Sequence, residues 1–216
     1  HGAVPHEDDL LNQHGYKVSC QACHIPEYAK VNATKLTWDW STAGKLRDGK
    51  PYEEEDANGD HVYMSIKGTF TWGRHVKPEY AFFDGTASHY LLGERFDPSR
   101  PLELNPLFGD YDDPEAKVVP LKRHRAKQIY DTKNQTLIQP KLFSATPGDG
   151  GYWGDFDWSK AAEAGMKEVG LPFSGSYGFA DTVMNWPVNH MVSPKEKAVS
   201  CAECHTRDGG RLASLG

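Results

Sequence analysis

Two short stretches decide how this chain reads: Cys20-Gln21-Ala22-Cys23-His24 near one end and Cys201-Ala202-Glu203-Cys204-His205 near the other. They hold all four cysteines of the 216-residue chain. C-x-x-C-H is the attachment signal of c-type haem. Two closely spaced thiols each form a thioether to a haem vinyl group, and the imidazole that follows lies under the iron as proximal ligand. Three other uses of paired cysteines compete. A four-cysteine zinc site needs the two pairs and nothing more. A redox C-x-x-C belongs beside a βαβ pattern, and no such pattern is legible here. Two structural disulfides suit a secreted chain. None of the three asks for a histidine directly after each pair, so the favoured reading is two covalently attached haems c, held by Cys20, Cys23, Cys201 and Cys204 and ligated by His24 and His205.

Composition agrees with that reading. Only 38% of the residues are hydrophobic, and there are 21 glycines and 14 prolines. So polar a chain predicts much loop, with the macrocycles supplying core that the side chains lack. Lys and Arg number 24 against 30 Asp and Glu, a net charge of −6. Without a basic excess to neutralise phosphates, nucleic acid is excluded as the main partner. No apolar run reaches the ~18 residues of a transmembrane helix.

Ten histidines are present, and eight remain once the two proximal ligands are set aside: His1, His6, His14, His61, His75, His89, His124 and His190. Imidazole is the common second ligand of haem iron, so bis-histidine ligation is favoured. Met64, Met166, Met184 and Met191 are the rival ligands, although methionine more often fills a core. His14 lies just before the first motif, and His190 precedes the second. His124 sits in the basic stretch Lys122-Arg123-His124-Arg125, whose cations could pair with propionates. His89 follows a Gly-Thr turn. The excess of histidines suggests that this segment also donates ligands to haems attached elsewhere.

The local patterns predict two short helices over 5–30, a turn-rich 34–60 and a β-hairpin within 61–83. They predict proline-rich loop over 97–120 and one short strand at Thr136-Leu137-Ile138. Asp157 or Ser159 caps a helix over 159–169 that Gly170 and Pro172 close. A last helix starts at Ser193-Pro194 and runs into Cys201. The fold class expected is a mostly α and irregular multihaem cytochrome c, with short helices around covalent haems, a small β-hairpin and long loops. The aromatic runs Trp38-Asp39-Trp40 and Tyr152-Trp153-Gly154-Asp155-Phe156-Asp157-Trp158 either pack on each other or cover haem faces.

Several blocks resemble the C-terminal part of the octahaem tetrathionate reductase-like cytochromes c. They include Lys17-Val18-Ser19-Cys20 through Ile25-Pro26, Trp38-Asp39-Trp40-Ser41-Thr42-Ala43-Gly44, Gly85-Thr86-Ala87-Ser88-His89-Tyr90-Leu91, His124-Arg125-Ala126-Lys127-Gln128 and Trp186-Pro187-Val188-Asn189-His190-Met191-Val192. The resemblance covers nearly the whole chain. It implies closely packed haems and electron transfer, with His89, His124 and His190 at positions like the family's distal ligands and His14 a weaker match. It also implies a periplasmic or extracellular place. The family's lysine-ligated active-site haem has no counterpart, since no C-x-x-C-K occurs.

Members of that family carry eight haems, and this chain holds two motifs. His1-Gly2 reads as the tail of another C-x-x-C-H-G motif, with His1 a proximal ligand. The expectation is therefore that residues 1–216 form a single haem-binding unit, the C-terminal segment of a longer multihaem cytochrome. Its partners are then redox proteins or other haem-bearing segments of the same protein. The alternatives are a stand-alone dihaem carrier, or a reductase of sulfur or nitrogen oxyanions with an open-site haem near Arg74, Lys77, Arg123 and Arg125. An oligomer, with His1 or His6 of one chain binding a neighbour's haem, is a further arrangement the sequence allows.

Overall fold

A computed structural model describes residues 4–215; the expected role of His1 falls outside them. Five helices and nine strands follow along the chain: α1 (Asp9–His14), α2 (Cys20–His24), β1 (Thr34–Asp39), β2 (Glu53–Glu55), β3 (His61–Met64), β4 (Gly68–Gly73), β5 (Glu79–Phe83), β6 (Leu102–Glu103), β7 (Lys117–Asp131), β8 (Thr136–Leu137), α3 (Tyr152–Asp155), α4 (Trp158–Glu168), β9 (Tyr177–Pro187) and α5 (Cys201–His205). The mostly α expectation is wrong. The strands form one nine-stranded mixed sheet in the order β2-β3-β4-β1-β7-β9-β6, with β5 and β8 also paired to β7.

The 15-residue β7 is the spine of this sheet. Its first part runs antiparallel to β5, from Phe83↔Lys117 to Glu79↔Leu121. Its remainder runs antiparallel to β9, from Leu121↔Pro187 to Asp131↔Tyr177. On the edge opposite β9, which β5 also lines, it meets β1 in parallel at Thr37↔Arg125 through Asp39↔Lys127. Pro120 falls inside β7 and has no N–H to give, yet its carbonyl accepts from Val188 N at 2.9 Å.

The hairpin expected within 61–83 is present as β3 and β4. Gly68, at φ +86°, makes its turn, and a Cβ there would sit 2.1 Å from the Asp39 carbonyl oxygen. The short strand at Thr136–Leu137 and the helix capped by Asp157 are also found, the Asp157 carboxylate accepting from Lys160 N at 3.1 Å. The helix expected from Ser193-Pro194 is broken: a 3-10 turn over Lys195–Lys197 ends in extended backbone at Ala198, and α5 begins afresh at Cys201.

Side chains do fill a core, contrary to the expectation that haem must supply it. Ile129, Ile138, Tyr152, Trp158, Ala161, Ala162 and Met166 bury one side of α4 against the sheet. The aromatic runs pack on one another: Trp38 stacks on Trp40 at 4.5 Å, and Tyr152 on Trp158 at 3.7 Å. A second, smaller cluster of Ala22, Tyr80 and Val118 joins α2 to β5 and β7.

Candidate functional site

Each C-x-x-C-H stretch is a one-turn helix with a serine at its start. In α2 the Ser19 hydroxyl accepts from Ala22 N at 3.3 Å. Backbone bonds from Ser19 N to Val118 O (3.0 Å) and from Val118 N to Lys17 O (2.7 Å) fasten this helix to the start of β7. In α5 the Glu203 carboxylate reaches back to Ser200 N at 3.0 Å. That backbone bond, reinforced by Arg211, pulls the Glu203 carboxyl down to about 2.

The two motifs lie side by side although almost the whole chain separates them. Val199 N donates to Cys23 O at 2.8 Å, and Ser193 N donates to His24 O at 2.7 Å. Among the described residues the four cysteines form no disulfide. Burial pushes the Cys23 thiol up, and the other three motif cysteines add to that rise; burial also raises Cys204.

Both motif histidines face another histidine. The rings of His6 and His24 have centroids 6.3 Å apart and planes 7° from parallel. The rings of His14 and His205 lie 6.0 Å apart and 84° from parallel. Ordinary aromatic pairs span this range of spacings, but the same spacing recurs at both motifs. It is also the spacing metal ligation requires. A metal–imidazole bond of about 2 Å, with about 1 Å more from nitrogen to ring centre on each side, separates trans ring centroids by about 6 Å. The residues therefore fit a bis-histidine haem at each motif. The rings are also held in place. His14 Nδ1 lies 2.8 Å from Leu10 O, which orients the imidazole as a backbone carbonyl does for a metal-bound histidine. The Asn12 side chain accepts from His6 N at 3.0 Å and donates to His6 O at 2.9 Å.

His6 stood outside the favoured ligand set. Its signal in the sequence was its place just before the short helix that ends at His14, ahead of the first motif. Of the histidines favoured there, His14 stands at the second motif, while His89, His124 and His190 lie elsewhere. His124 is half-buried on β7 with Nδ1 3.2 Å from Lys35 O; burial lowers its pKa, and the Lys122 and Lys35 ammoniums add to that effect. Lys35 itself sits over Phe70 (3.7 Å) and Trp38 (4.0 Å), and burial with its lysine neighbours lowers it to about 8. His89 and His190 are exposed, and among the described residues neither ring makes a hydrogen bond. Of the methionines, Met166 is core and Met184 pairs with His124 across the sheet.

The cations considered as oxyanion neighbours are mostly paired with carboxylates. Arg125 grips Glu79 at 2.7 and 2.8 Å, Arg123 reaches Glu79 at 3.5 Å and Asn185 at 3.2 Å, and Arg74 binds Asp60 at 2.6 Å. Among the described residues no helix is long and apolar enough to cross a membrane.

The sequence profile described as bacterial cytochrome c matches residues 35–208. The crystal structure of octaheme cytochrome c from Shewanella oneidensis is similar over 100% of this chain, with 44% sequence identity and a TM-score of 0.90. This chain covers 49% of that one, about half its length. No curated protein matches the chain.

Proposed function

This chain belongs to the bacterial cytochrome c family and is a multihaem cytochrome c, and from that premise we propose that it is an electron-transfer segment of a larger multihaem cytochrome. Cys20 and Cys23 hold one haem c, and Cys201 and Cys204 hold the other. The bound haem supplies a one-electron centre whose chemistry is its own. His24 and His6 would hold the iron at the first site, and His205 and His14 at the second. The observation that carries this reading is the recurrence of one ring spacing, 6.3 and 6.0 Å, at both motif histidines.

The protein's part is to fix ligands, burial and position. The Leu10 carbonyl orients His14, the Asn12 amide clamps the backbone of His6, and serine caps place each attachment helix. With His6 and His14 as second ligands, neither site would offer a position for a substrate oxyanion. The segment then performs no bond chemistry.

The solved relative is an octaheme protein, and this chain spans about half of it. That supports a place here within an octahaem assembly, with the exposed His89 and His190 as donors to haems attached outside residues 1–216. Any reduction of sulfur or nitrogen oxyanions then resides in the remainder. Covalent haem attachment after export supports a periplasmic or extracellular place.

The test is a reductive titration of the haem-loaded chain with carbon monoxide present. The expected outcome is uptake of two electrons per chain with low-spin spectra throughout and no carbonyl complex. Stoichiometric carbon monoxide binding at one haem would reveal an open site and favour the reductase reading.

A further inference from the structure

We propose that Arg211 is a positioning residue that locks the two attachment helices together and thereby sets the coupling between the two haems. The proposal rests on the dihaem reading above. Its grounds are a set of contacts that no cysteine or histidine of the motifs makes.

The Arg211 side chain is only 9% exposed. Its Nε and Nη2 donate to one oxygen of Glu203, at 3.0 and 2.7 Å, inside the second motif. Its Nη1 donates to Pro26 O at 2.8 Å, directly after the first motif. The same Nη1 lies 3.5 Å from the Tyr80 hydroxyl. Tyr80, 2% exposed, in turn donates to Ala22 O at 3.4 Å, inside the first motif. One guanidinium thus reaches both motifs, directly and through a buried tyrosine. Arg211 N also donates to Glu203 O at 2.7 Å, so backbone and side chain act on the same residue.

The planar fork is what this task requires. It offers donors in two directions at once, whereas a lysine ammonium is a compact charge on a flexible stem. A charge so deeply buried must be paired, and removing either partner strands the other. The bonds from Val199 N to Cys23 O and from Ser193 N to His24 O form the rest of the latch. Breaking the clamp should leave each haem attached and six-coordinate, since no cysteine or axial histidine is touched, but should loosen one site against the other.

The haem-loaded chain carrying Arg211→Met, beside Arg211→Lys and Glu203→Gln, tests this. Three readouts are needed: the low-spin optical spectrum, the separation between the two midpoint potentials, and amide exchange by peptide. In Arg211→Met the spectrum stays low-spin and the separation changes. Exchange rises on the order of a hundredfold over the segment holding Ser193 and Val199, as loss of a buried charge partner implies, while α4 keeps wild-type protection. Arg211→Lys fails to restore either property. Glu203→Gln shifts both in the same direction and carries the test should Arg211→Met not mature. Wild-type separation and wild-type exchange at 193–199 in these variants would overturn the proposal. A high-spin haem in the wild-type chain would instead count against the bis-histidine reading, so the two failures are distinguishable.

Discussion

Removing His6 or His14 tests the axial assignment most sharply, because the two sites differ in one measurable angle. The imidazole planes are 7° apart in the His6–His24 pair and 84° apart in the His14–His205 pair. Each ligand ring donates π density into one of two iron d orbitals that share an energy in a symmetric haem. Parallel rings act on the same orbital and split the pair. Perpendicular rings act on one each and leave the pair nearly degenerate. The ferric chain should therefore show two low-spin electron paramagnetic resonance signals of equal weight, one rhombic and one of the highly anisotropic, large-gmax type.

The size of each mutational effect follows from the count of motifs. With two attachment motifs in the chain, loss of one distal ligand converts one haem of two. His6→Ala should abolish the rhombic signal alone and leave half of the spin as high-spin ferric iron. His14→Ala should abolish the large-gmax signal alone, with the same high-spin yield. Haem content, read by pyridine haemochrome, stays at the wild-type value because all four cysteines remain. His89→Ala and His190→Ala should leave both signals intact in the isolated chain. The reasoning fails if His190→Ala produces the high-spin iron while His6→Ala does not, or if the two wild-type signals are of one type.

Two further outcomes concern the fold that carries these sites. Gly165→Ala in α4 would place a Cβ 2.0 Å from Gln139 O and 2.5 Å from Lys141 N. These are backbone atoms that cannot swing away, so overpacking of roughly 1–3 kcal/mol should outweigh the ~1 kcal/mol helix-propensity gain and lower the melting temperature. Asp131 is fully buried and accepts from the backbone of Lys133, Asn134 and Ser174 and from the Ser174 hydroxyl. Burial alone would push its carboxyl up, but those donors hold it below the ordinary carboxylate range. A depressed folded pKa stabilises above the unfolded value of about 4 and loses that contribution as pH falls through the folded one. Asp131→Asn should therefore cost about 2–3 kcal/mol at neutral pH, and denaturant titrations should show the gap to wild type closing below about pH 4.

The C-x-x-C-H stretches stand out in the sequence because covalent haem attachment dictates such a spacing, and no tertiary context is needed to read it. Helix α4 was legible for a similar reason: an aspartate cap and a Gly-x-Pro stop are local signals. The sheet was hidden because its central strand carries no alternation of apolar and polar residues. β7 reads Lys-Val-Val-Pro-Leu-Lys-Arg-His-Arg-Ala-Lys-Gln-Ile-Tyr-Asp, with a proline and a basic run inside. Its polar side chains are satisfied across strands instead: Lys122 by Thr34 Oγ1 at 2.6 Å, Arg125 by Glu79, and Gln128 by Thr182 at 3.0 Å. Hydrophobic periodicity is the primary strand signal, and it is silent where a strand is held by partners that lie far away in sequence. β9 is masked similarly by Gly178, Asp181, Asn185 and Pro187.

Of the two histidines that stand against the motif histidines, His14 was legible as a candidate ligand and His6 was not, for a topological reason. Closeness in sequence favours pairing a histidine with the motif it precedes, and His14 does precede the first motif. In the fold it turns instead to His205 of the second, while the more distant His6 faces His24. This exchange is available only because α5 returns to lie against α2, an adjacency secured by backbone bonds from the 193–199 segment. The consequence is physical. Under the proposed ligation, a bond from iron to His14 at the second site would tie α1, near one end of the chain, to α5 near the other. Loop-closure entropy for so long a span is large in the unattached chain, although it grows only slowly with length. Ligation at that site would therefore constrain the unfolded ensemble more than ligation at the first, where His6 and His24 would close a short loop. The sheet between them supplies the frame that makes the long closure possible, which is why a chain read from its motifs as haem-built is in fact held together by β7.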